Sequence, residues 1–277
     1  MLFRSFRRDL RLADHPALNA AVESSDEVVP VFILDEKLIG ESGSKRLAYL
    51  GQSLRALDES LGGNLHVLVG DQVKVLKELM ARYDATDVHI SEEFEPYGKS
   101  RDERVEKAGI KLIRTGSPYA ITPGRVRKPS DGTPYKVYTP FYRAWLEHRW
   151  REPAAKTKEI KFVKPTNVER NFPDWPTPEG VLIPPAGEAA ALDRWKAFKA
   201  NGLNQYDENR NSAGIDGTSK LSHHLKFGEI HPRTLLAELN KTKAHEVYRK
   251  EIAWREFYAD VLFHNPHTES EIGRAHV

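Results

Sequence analysis

The chain has 277 residues, and its 42 basic and 40 acidic side chains leave a net charge of only +2, too small to identify a nucleic-acid-binding protein by itself. It contains no cysteine, which excludes disulfides, thiolate metal sites and cysteine nucleophiles. It has no run of ~18 apolar residues that would suggest a membrane span and no apolar signal-peptide core at its start. We therefore expect a cytoplasmic protein of about two domains with no membrane association.

Residues 1–115 alternate short apolar runs with amphipathic stretches. Four runs rich in β-branched residues predict strands, at 28–34, 65–69, 87–90 and 110–113. Leucines spaced three or four apart from Leu47 to Leu61 predict a helix, and apolar residues from Val73 to Tyr83 predict another, with Asp71 as its N-cap. Strands and helices alternating at this spacing favour a doubly wound parallel sheet, which we assign to residues 1–125.

The middle of the chain has a different composition. Twelve of its 17 prolines lie within residues 117–185, so long regular elements are not expected there, apart from one helix near 141–151. We interpret residues 126–186 as a connection that wraps between two domains. Apolar residues at helical spacing then continue without a strand pattern, which predicts that residues 187–270 are all-α.

Residues 217–222 (GTSKLS) precede an apolar helix and carry three hydroxyls. A helix N-terminus presents free N–H groups that suit a phosphate, although a plain N-cap explains the same residues. The chain contains neither a G-x-G-x-x-G nor a P-loop motif, so a phosphate ligand here requires another fold.

On the last long helix Tyr248, Glu251, Arg255 and Tyr258 fall on one face, with Trp254 beside them. Such a face can stack a flat ring and hydrogen-bond its edge, as an extruded base requires. The alternatives are core packing for the aromatic residues and a surface ion pair between Glu251 and Arg255.

Other chemistry finds less support in the sequence. Upstream of that helix, Tyr206 and Arg210 lie one helical turn apart, which is weak evidence by itself. The eleven histidines include no H-E-x-x-H motif, so we expect no metal site, and no G-x-S-x-G motif supports a serine hydrolase.

Five ordered motifs together resemble the DNA photolyase/cryptochrome family, most closely its class I-type cyclobutane pyrimidine dimer photolyases. The motifs are FRRDLRLADHPAL at 6–18, EPYG at 95–98, PYKVYTPF at 134–141, TSKLS at 218–222 and WREFY at 254–258. The resemblance implies a Rossmann-like antenna domain followed by the first part of an all-α FAD-binding domain.

The resemblance also assigns roles to residues. The implied FAD-binding residues are Tyr206, Thr218, Ser219, Lys220, Leu221, Ser222 and Tyr248. The implied DNA- and lesion-binding residues are Arg210, Glu251, Trp254, Arg255 and Tyr258. A second, antenna chromophore, which could be folate, deazaflavin or FMN, would lie near Arg7, Glu95 and Tyr97.

The family's reaction is electron donation from photoexcited reduced FAD into a pyrimidine dimer of damaged DNA, so no side chain is expected to act as a nucleophile or base. The implied protein is a monomer. Two alternatives stay open: a cryptochrome-type blue-light receptor on the same scaffold, and a stand-alone α/β nucleotide-binding module. The WREFY motif disfavours the second alternative, because a free α/β module needs no helix that stacks on a lesion.

The sequence departs from the family pattern in several places. Ser5 stands where the family has tryptophan, Arg4 interrupts the expected first strand, and His223 and His224 replace a Pro-Tyr or similar pair. The family's later helices, which close the FAD pocket, are not found after residue 270, so we expect a C-terminal truncation and an inactive fragment. Residues 271–277 read as an adapter-derived tail, with a natural short tail as the alternative.

Overall fold

The computed structural model describes residues 1–155 and 161–270, and the predicted tail at 271–277 lies outside them. The N-terminal part contains a parallel sheet in the order β3-β2-β1-β4-β5. Its strands are β1 (Leu2–Phe6), β2 (Glu27–Leu34), β3 (His66–Val69), β4 (Asp87–Ile90) and β5 (Lys111–Arg114). The predicted α/β class is confirmed, and the four predicted strands lie within one residue of their expected bounds.

Helices cover the sheet, as the alternating pattern predicts. They are α1 (Pro16–Ser24), α2 (Glu36–Gly40), α3 (Ser44–Ser60), α4 (Gln72–Tyr83) and α5 (Pro96–Lys107). The Asp71 carboxylate accepts hydrogen bonds from the amides of Val73 and Lys74, so the predicted N-cap of α4 is confirmed. The apolar faces of these helices pack on strands whose residues are buried on both sides of the sheet, as expected for a parallel sheet.

Arg4 does not interrupt the first strand, which corrects the expectation drawn from its polarity. It lies in the middle of β1 and is completely buried. Its guanidinium pairs with Asp9, lies 3.0 Å from the His15 ring nitrogen and donates to the His89 carbonyl at 3.3 Å. Burial lowers the pKa of Arg4 to about 10, and the Asp9 carboxylate opposes that shift. The strand therefore tolerates a charge because groups outside it contact the two terminal nitrogens of the guanidinium.

The connecting segment contains three short regular elements, of which the first packs on the C-terminal helices and the other two lie against the sheet. Its helix α6 (Tyr138–His148) begins three residues before the predicted position. A short strand β6 (Lys161–Phe162) pairs in parallel with the beginning of β2, and a 3₁₀ turn at Asn167–Glu169 follows. The segment is thus packed against both parts of the protein, its helix on the C-terminal core and its later residues along the sheet.

The C-terminal helices form a second core. They are α7 (Glu188–Asn201), α8 (Tyr206–Asn209), α9 (Ser222–Phe227), α10 (Pro232–Ala237) and α11 (Lys243–His264). Large side chains from α6, α7 and α11 fill it, among them Trp145, Trp195 and Phe257. Within residues 187–270 the structure shows no strand, as predicted. No helix of the described residues is long and apolar enough to cross a membrane.

The two parts meet where the loop after β1 crosses the turn after α9. The Leu10 amide donates to the Phe227 carbonyl at 3.2 Å, and the Arg11 guanidinium donates to the Gly228 carbonyl at 2.9 Å. Gly228 has a φ of 71°, and a Cβ on it would lie 1.9 Å from the carbonyl oxygen of Arg8. Only glycine fits this crossing, because both the backbone angle and the close approach exclude a side chain.

We predict that Gly228→Ala destabilises the protein more than Gly132→Ala, which is its matched control. Gly132 has a similar φ of 69°, but a Cβ there would meet nothing within 4 Å. Both variants lose roughly 1–2 kcal/mol for a left-handed alanine, and Gly228→Ala should lose a further ~1–3 kcal/mol through overpacking. Urea denaturation followed by tryptophan fluorescence measures both values. Equal losses would contradict a tight crossing.

Candidate functional site

The phosphate-binding candidate at 217–222 forms a turn that leads into α9. Gly217 is buried, and a Cβ on it would lie 2.6 Å from the Asn209 carbonyl oxygen, so the turn packs closely on α8. The Arg194 guanidinium of α7 fixes the turn by donating to the carbonyls of Ser219 at 2.8 Å and Thr218 at 2.9 Å. The carbonyls therefore point toward Arg194, and the helix that begins at Ser222 leaves its first amides without intrahelical partners.

The five cradle residues differ in exposure. Thr218 and Ser222 are exposed, and their hydroxyls hydrogen-bond no other described residue. Lys220 has a φ of 52° and pairs with Asp216 at 2.8 Å, whereas Leu221 is buried in the second core. The free hydroxyls lie at the same end of α9 as the unpaired amides, so this end can accept an anion.

Tyr206 and Tyr248 pack in the second core behind the cradle. Their rings meet edge to face at 5.1 Å, and Tyr248 stacks on Trp195 at 5.6 Å. Burial raises the pKa of Tyr248, and its hydroxyl is hydrogen-bonded to the Ser219 side chain. The two tyrosines therefore join the cradle to α8 and α11, and both are core residues.

The outward face of α11 presents an aromatic stack. Trp254 lies nearly parallel to Tyr138 of α6, with ring centroids 3.5 Å apart and planes inclined by 8°. Tyr258 stacks on Trp254 at 5.6 Å and is 64% exposed. The Tyr138 hydroxyl donates to the Lys250 carbonyl at 2.8 Å, which holds the supporting ring in place. A flat aromatic surface is therefore fixed at the edge of the protein.

Glu251 pairs with Arg210 and not with Arg255, so the alternative of an ion pair within α11 is wrong. The Arg210 guanidinium also lies 5.5 Å above the Tyr206 ring. This pair connects the short helix α8 to α11, beside the aromatic stack. Because both side chains are about one third exposed, the pair stays accessible to solvent.

Arg255 points away from this face toward the first domain. Its guanidinium donates to the Pro118 carbonyl at 3.0 Å and to the Leu225 carbonyl at 3.4 Å, and it covers the Tyr119 ring at 4.7 Å. The structure thus brings Arg210, Glu251, Trp254 and Tyr258 together and places Arg255 elsewhere. The helical periodicity alone put Glu251, Arg255 and Tyr258 on one face of α11 with Trp254 beside them, and it gave no place to Arg210, which follows α8.

The three antenna candidates, Arg7, Glu95 and Tyr97, line one cavity of 310 Å³. The cavity lies at the carboxyl ends of β1, β2 and β4, where the strand order reverses between β1 and β4. Open α/β sheets bind ligands at this position. Apolar side chains form much of its wall, including Leu38, Ile39, Leu47 and Leu50.

Polar residues around this candidate antenna cavity are fixed by ion pairs. Arg7 pairs with Asp102 at 2.9 Å, and Arg8 pairs with Glu95. Burial alone would raise the pKa of Glu95, but the Arg8 guanidinium holds it below its usual value. Burial together with a hydrogen bond to a carboxylate raises the pKa of Tyr97 to about 12, so its hydroxyl stays protonated and donates.

Sequence reasoning missed several residues of these sites. Tyr138, which supports Trp254, and Arg194, which orients the cradle, lie far from the motifs they serve. The cavity wall also includes Arg46 and Lys226, from α3 and α9. Tyr138 belongs to the PYKVYTPF motif, but no local signal connects it to Trp254 or marks the other three residues, because each acts across a tertiary contact. Among the described residues no group of three histidine, aspartate or glutamate side chains could hold a metal ion.

Comparison with known proteins gives a family match. The family model described as DNA photolyase matches residues 5–159. A deoxyribodipyrimidine photo-lyase from Agrobacterium fabrum is 34% identical over 94% of this chain and 59% of its own length. An uncharacterised 31.6 kDa protein from the atpI 5′ region of Synechococcus sp. PCC 6716 is 34% identical over 91% of this chain and 96% of its own length. The chain spans 59–60% of the length of the first photo-lyase relatives.

Solved structures share the architecture. A bacterial class III photolyase from Agrobacterium tumefaciens superposes with a TM-score of 0.82 at 31% identity, covering 98% of this chain and 60% of the other. An archaeal photolyase from Sulfolobus tokodaii, solved with two FAD molecules, gives a TM-score of 0.81 at 26% identity, covering 98% of this chain and 61% of the other. A cryptochrome from Synechocystis at 23% identity supports the fold alone, with a TM-score of 0.77 and coverage of 95% and 61%.

We predict that Tyr138 and Trp254 stabilise each other. Leucine substitutions at both positions, made singly and together, should show a coupling of ~0.5–1.5 kcal/mol in the free energy of unfolding, because aromatic stacking adds to area burial. The control cycle combines Tyr138→Leu with Trp175→Leu, since Trp175 packs in a separate cluster. Additive losses in the first cycle would show that the two rings are neighbours without a mutual interaction.

Proposed function

Because the chain belongs to the DNA photolyase family, we propose that it provides the antenna domain and one wall of the flavin and lesion site of a light-dependent DNA repair enzyme. The substrate would be the cyclobutane pyrimidine dimer. One observation carries this proposal: Tyr138 holds the half-buried Trp254 ring flat, beside the Arg210–Glu251 pair. An aromatic platform next to a hydrogen-bonding pair suits a base pair rotated out of the duplex.

The cradle fits the phosphates of FAD. The exposed hydroxyls of Thr218 and Ser222 and the first amides of α9 converge on one helix end, while Gly217 allows the backbone to pack closely. When bound, reduced FAD would supply the photoexcited electron that splits the dimer. Ser219, Lys220 and Leu221 shape the turn, and the side chains of Tyr206 and Tyr248 support it from the core.

The protein's own role at the lesion is to position it. Tyr258 and Trp254 would stack on the extruded pyrimidines, and Glu251 would accept hydrogen bonds from their edges while Arg210 stays paired with it. Arg255 remains a predicted DNA contact, although two backbone carbonyls use its guanidinium in this structure. No side chain is required to exchange a proton with the substrate.

We further propose that the cavity at Arg7, Glu95 and Tyr97 holds the antenna chromophore. Its apolar wall suits a flat ring system, and Arg46 at its mouth suits an anionic substituent. We also propose that the chain is divided into an antenna domain at residues 1–125, a connection at 126–186 and a helical domain at 187–270. The protein would be a monomer located in the cytoplasm. The class I assignment also remains a prediction, and a class III photolyase is among the structures that the chain resembles.

We predict that Trp254→Ala lowers lesion preference more than general DNA affinity. The chain spans 59–60% of the length of its photo-lyase relatives. The assay therefore uses a chimera that joins residues 1–270 to the remaining C-terminal part of the Agrobacterium fabrum photo-lyase. Loss of one stacking contact should reduce the preference for dimer-containing DNA about tenfold, and Trp254→Phe should retain most of it. Binding to damaged and undamaged oligonucleotides measures the preference.

The parent chimera should also split dimers under blue light. A chimera that folds, as judged by circular dichroism, and holds flavin without repairing dimers would contradict the repair function and favour a light receptor. If Trp254→Ala weakens binding to damaged and undamaged DNA equally, the residue is a general DNA contact and not a lesion platform.

We predict that Arg46→Glu weakens chromophore binding by the 277-residue chain, whereas Lys45→Glu does not. Both residues are exposed near the start of α3, but only Arg46 lines the cavity. Reversing a charge at the mouth should cost about tenfold in affinity for an anionic ligand, or ~1.4 kcal/mol. Fluorescence titration with FMN, a deazaflavin and a folate gives the affinities. If none of the three compounds binds saturably, the proposal of an antenna site in this cavity is wrong.

A further inference from the structure

A separate cavity of 510 Å³ lies where the sheet domain, the connecting segment and α10 meet. It shares no lining residue with the antenna cavity, and it contains none of the residues of the flavin cradle or the aromatic platform. The sheet side supplies Glu92 and Arg114, the end of α6 and the turn after it supply residues 148–151, and α10 supplies Arg233. The proposed repair function assigns no role to this space.

The lining is strongly basic. Five arginines contribute to it, namely Arg114, Arg125, Arg149, Arg151 and Arg233. Two of them are neutralised by carboxylates outside the cavity: Arg114 by Glu106 at 2.5 Å and Arg233 by Asp14 at 2.8 Å. For the other three, no side-chain hydrogen bond or ion pair with any described residue is found. Among the described lining residues Glu92 is the single acid, so a positive excess remains.

The turn that presents two of these arginines is strained and firmly anchored. Arg149 ends α6 with a φ of 58°, a conformation that costs a non-glycine residue about 1–3 kcal/mol. The next residue, Trp150, lines the cavity and packs on Trp145 with ring centroids 4.5 Å apart. Trp145 is completely buried and donates its indole N–H to Glu256 at 2.7 Å. The second core therefore holds the strained turn in place.

We propose that this cavity binds a small ligand that carries a pyrophosphate group and a flat ring, of the nucleoside diphosphate class. The unpaired guanidiniums of Arg125, Arg149 and Arg151 would bind the phosphate oxygens, because guanidinium matches phosphate geometry and stays charged. Trp150 would contact the ring. The guanidiniums surround a concave space between three segments, which fits a compact ligand better than the convex backbone of a DNA duplex.

Calorimetric titration of the full 277-residue chain tests the proposal with three probes at constant ionic strength: sodium pyrophosphate, ADP and sodium sulfate. ADP and pyrophosphate should bind saturably, with dissociation constants below ~1 mM, and sulfate should bind at least tenfold more weakly. The double variant Arg125→Gln/Arg151→Gln should lose tenfold or more in affinity for both phosphate ligands.

The matched control is Arg143→Gln/Lys99→Gln, which removes the same charge from exposed positions outside the cavity. It should bind both ligands as the parent chain does. Trp150→Leu, checked for folding by circular dichroism, should lower ADP affinity severalfold and leave pyrophosphate affinity unchanged, because only ADP carries a ring.

Three results would overturn the proposal. The first is the absence of saturable binding of pyrophosphate and ADP below ~1 mM. The second is an equal loss in the control variant, or equal affinity for sulfate, which would indicate a general attraction of anions. The third is unchanged phosphate binding by Arg125→Gln/Arg151→Gln together with weaker retention on DNA, which would assign these arginines to a nucleic-acid backbone.

Discussion

The close crossing of two backbones at Gly228 is the constraint on which the rest of this structure depends. The loop that follows β1 lies against the turn that follows α9, so the end of the first strand is held close to the helix after the candidate phosphate cradle. Arg8, Lys226 and Phe227 near this crossing line the candidate antenna cavity. One contact thus positions the carboxyl end of the sheet and the end of α9, and it sets the distance between the two candidate cofactor sites.

A buried carboxylate strengthens the same interface. Glu229, next to the crossing, accepts hydrogen bonds from Tyr49 and Ser53 of α3, each at 2.6 Å, and from the Gly187 amide at 2.8 Å. Burial alone would raise the pKa of Glu229, but these donors and His224, 2.5 Å away, hold it below its usual value. A buried charge is tolerated here because four groups from three segments satisfy it.

The connecting segment contributes residues to the aromatic platform and to the basic cavity. Tyr138 supports the aromatic platform, and Trp150 lines the basic cavity. Glu256 of α11 fastens the segment by accepting a hydrogen bond from the Trp145 indole at 2.7 Å, and it also accepts one from the amide of Ile121, just before the segment, at 3.0 Å. Because that carboxylate is buried, its removal would leave several donors unsatisfied at once. The segment is therefore part of the scaffold that holds functional residues.

The sequence alone determined the features that depend on neighbours along the chain. The alternation of β-branched strands with α3 and α4, the Asp71 cap and the family motifs all follow from local patterns, because periodicity and capping involve residues a few positions apart.

Only the tertiary structure decided that Arg4 is buried, that Glu251 pairs with Arg210, and that Arg255 turns toward the first domain. A helix face offers each charged side chain several directions, and the partner that satisfies it comes from a segment distant in sequence. That choice cannot be read from spacing, because the free energy of a buried charge depends on groups that only folding brings within hydrogen-bonding distance.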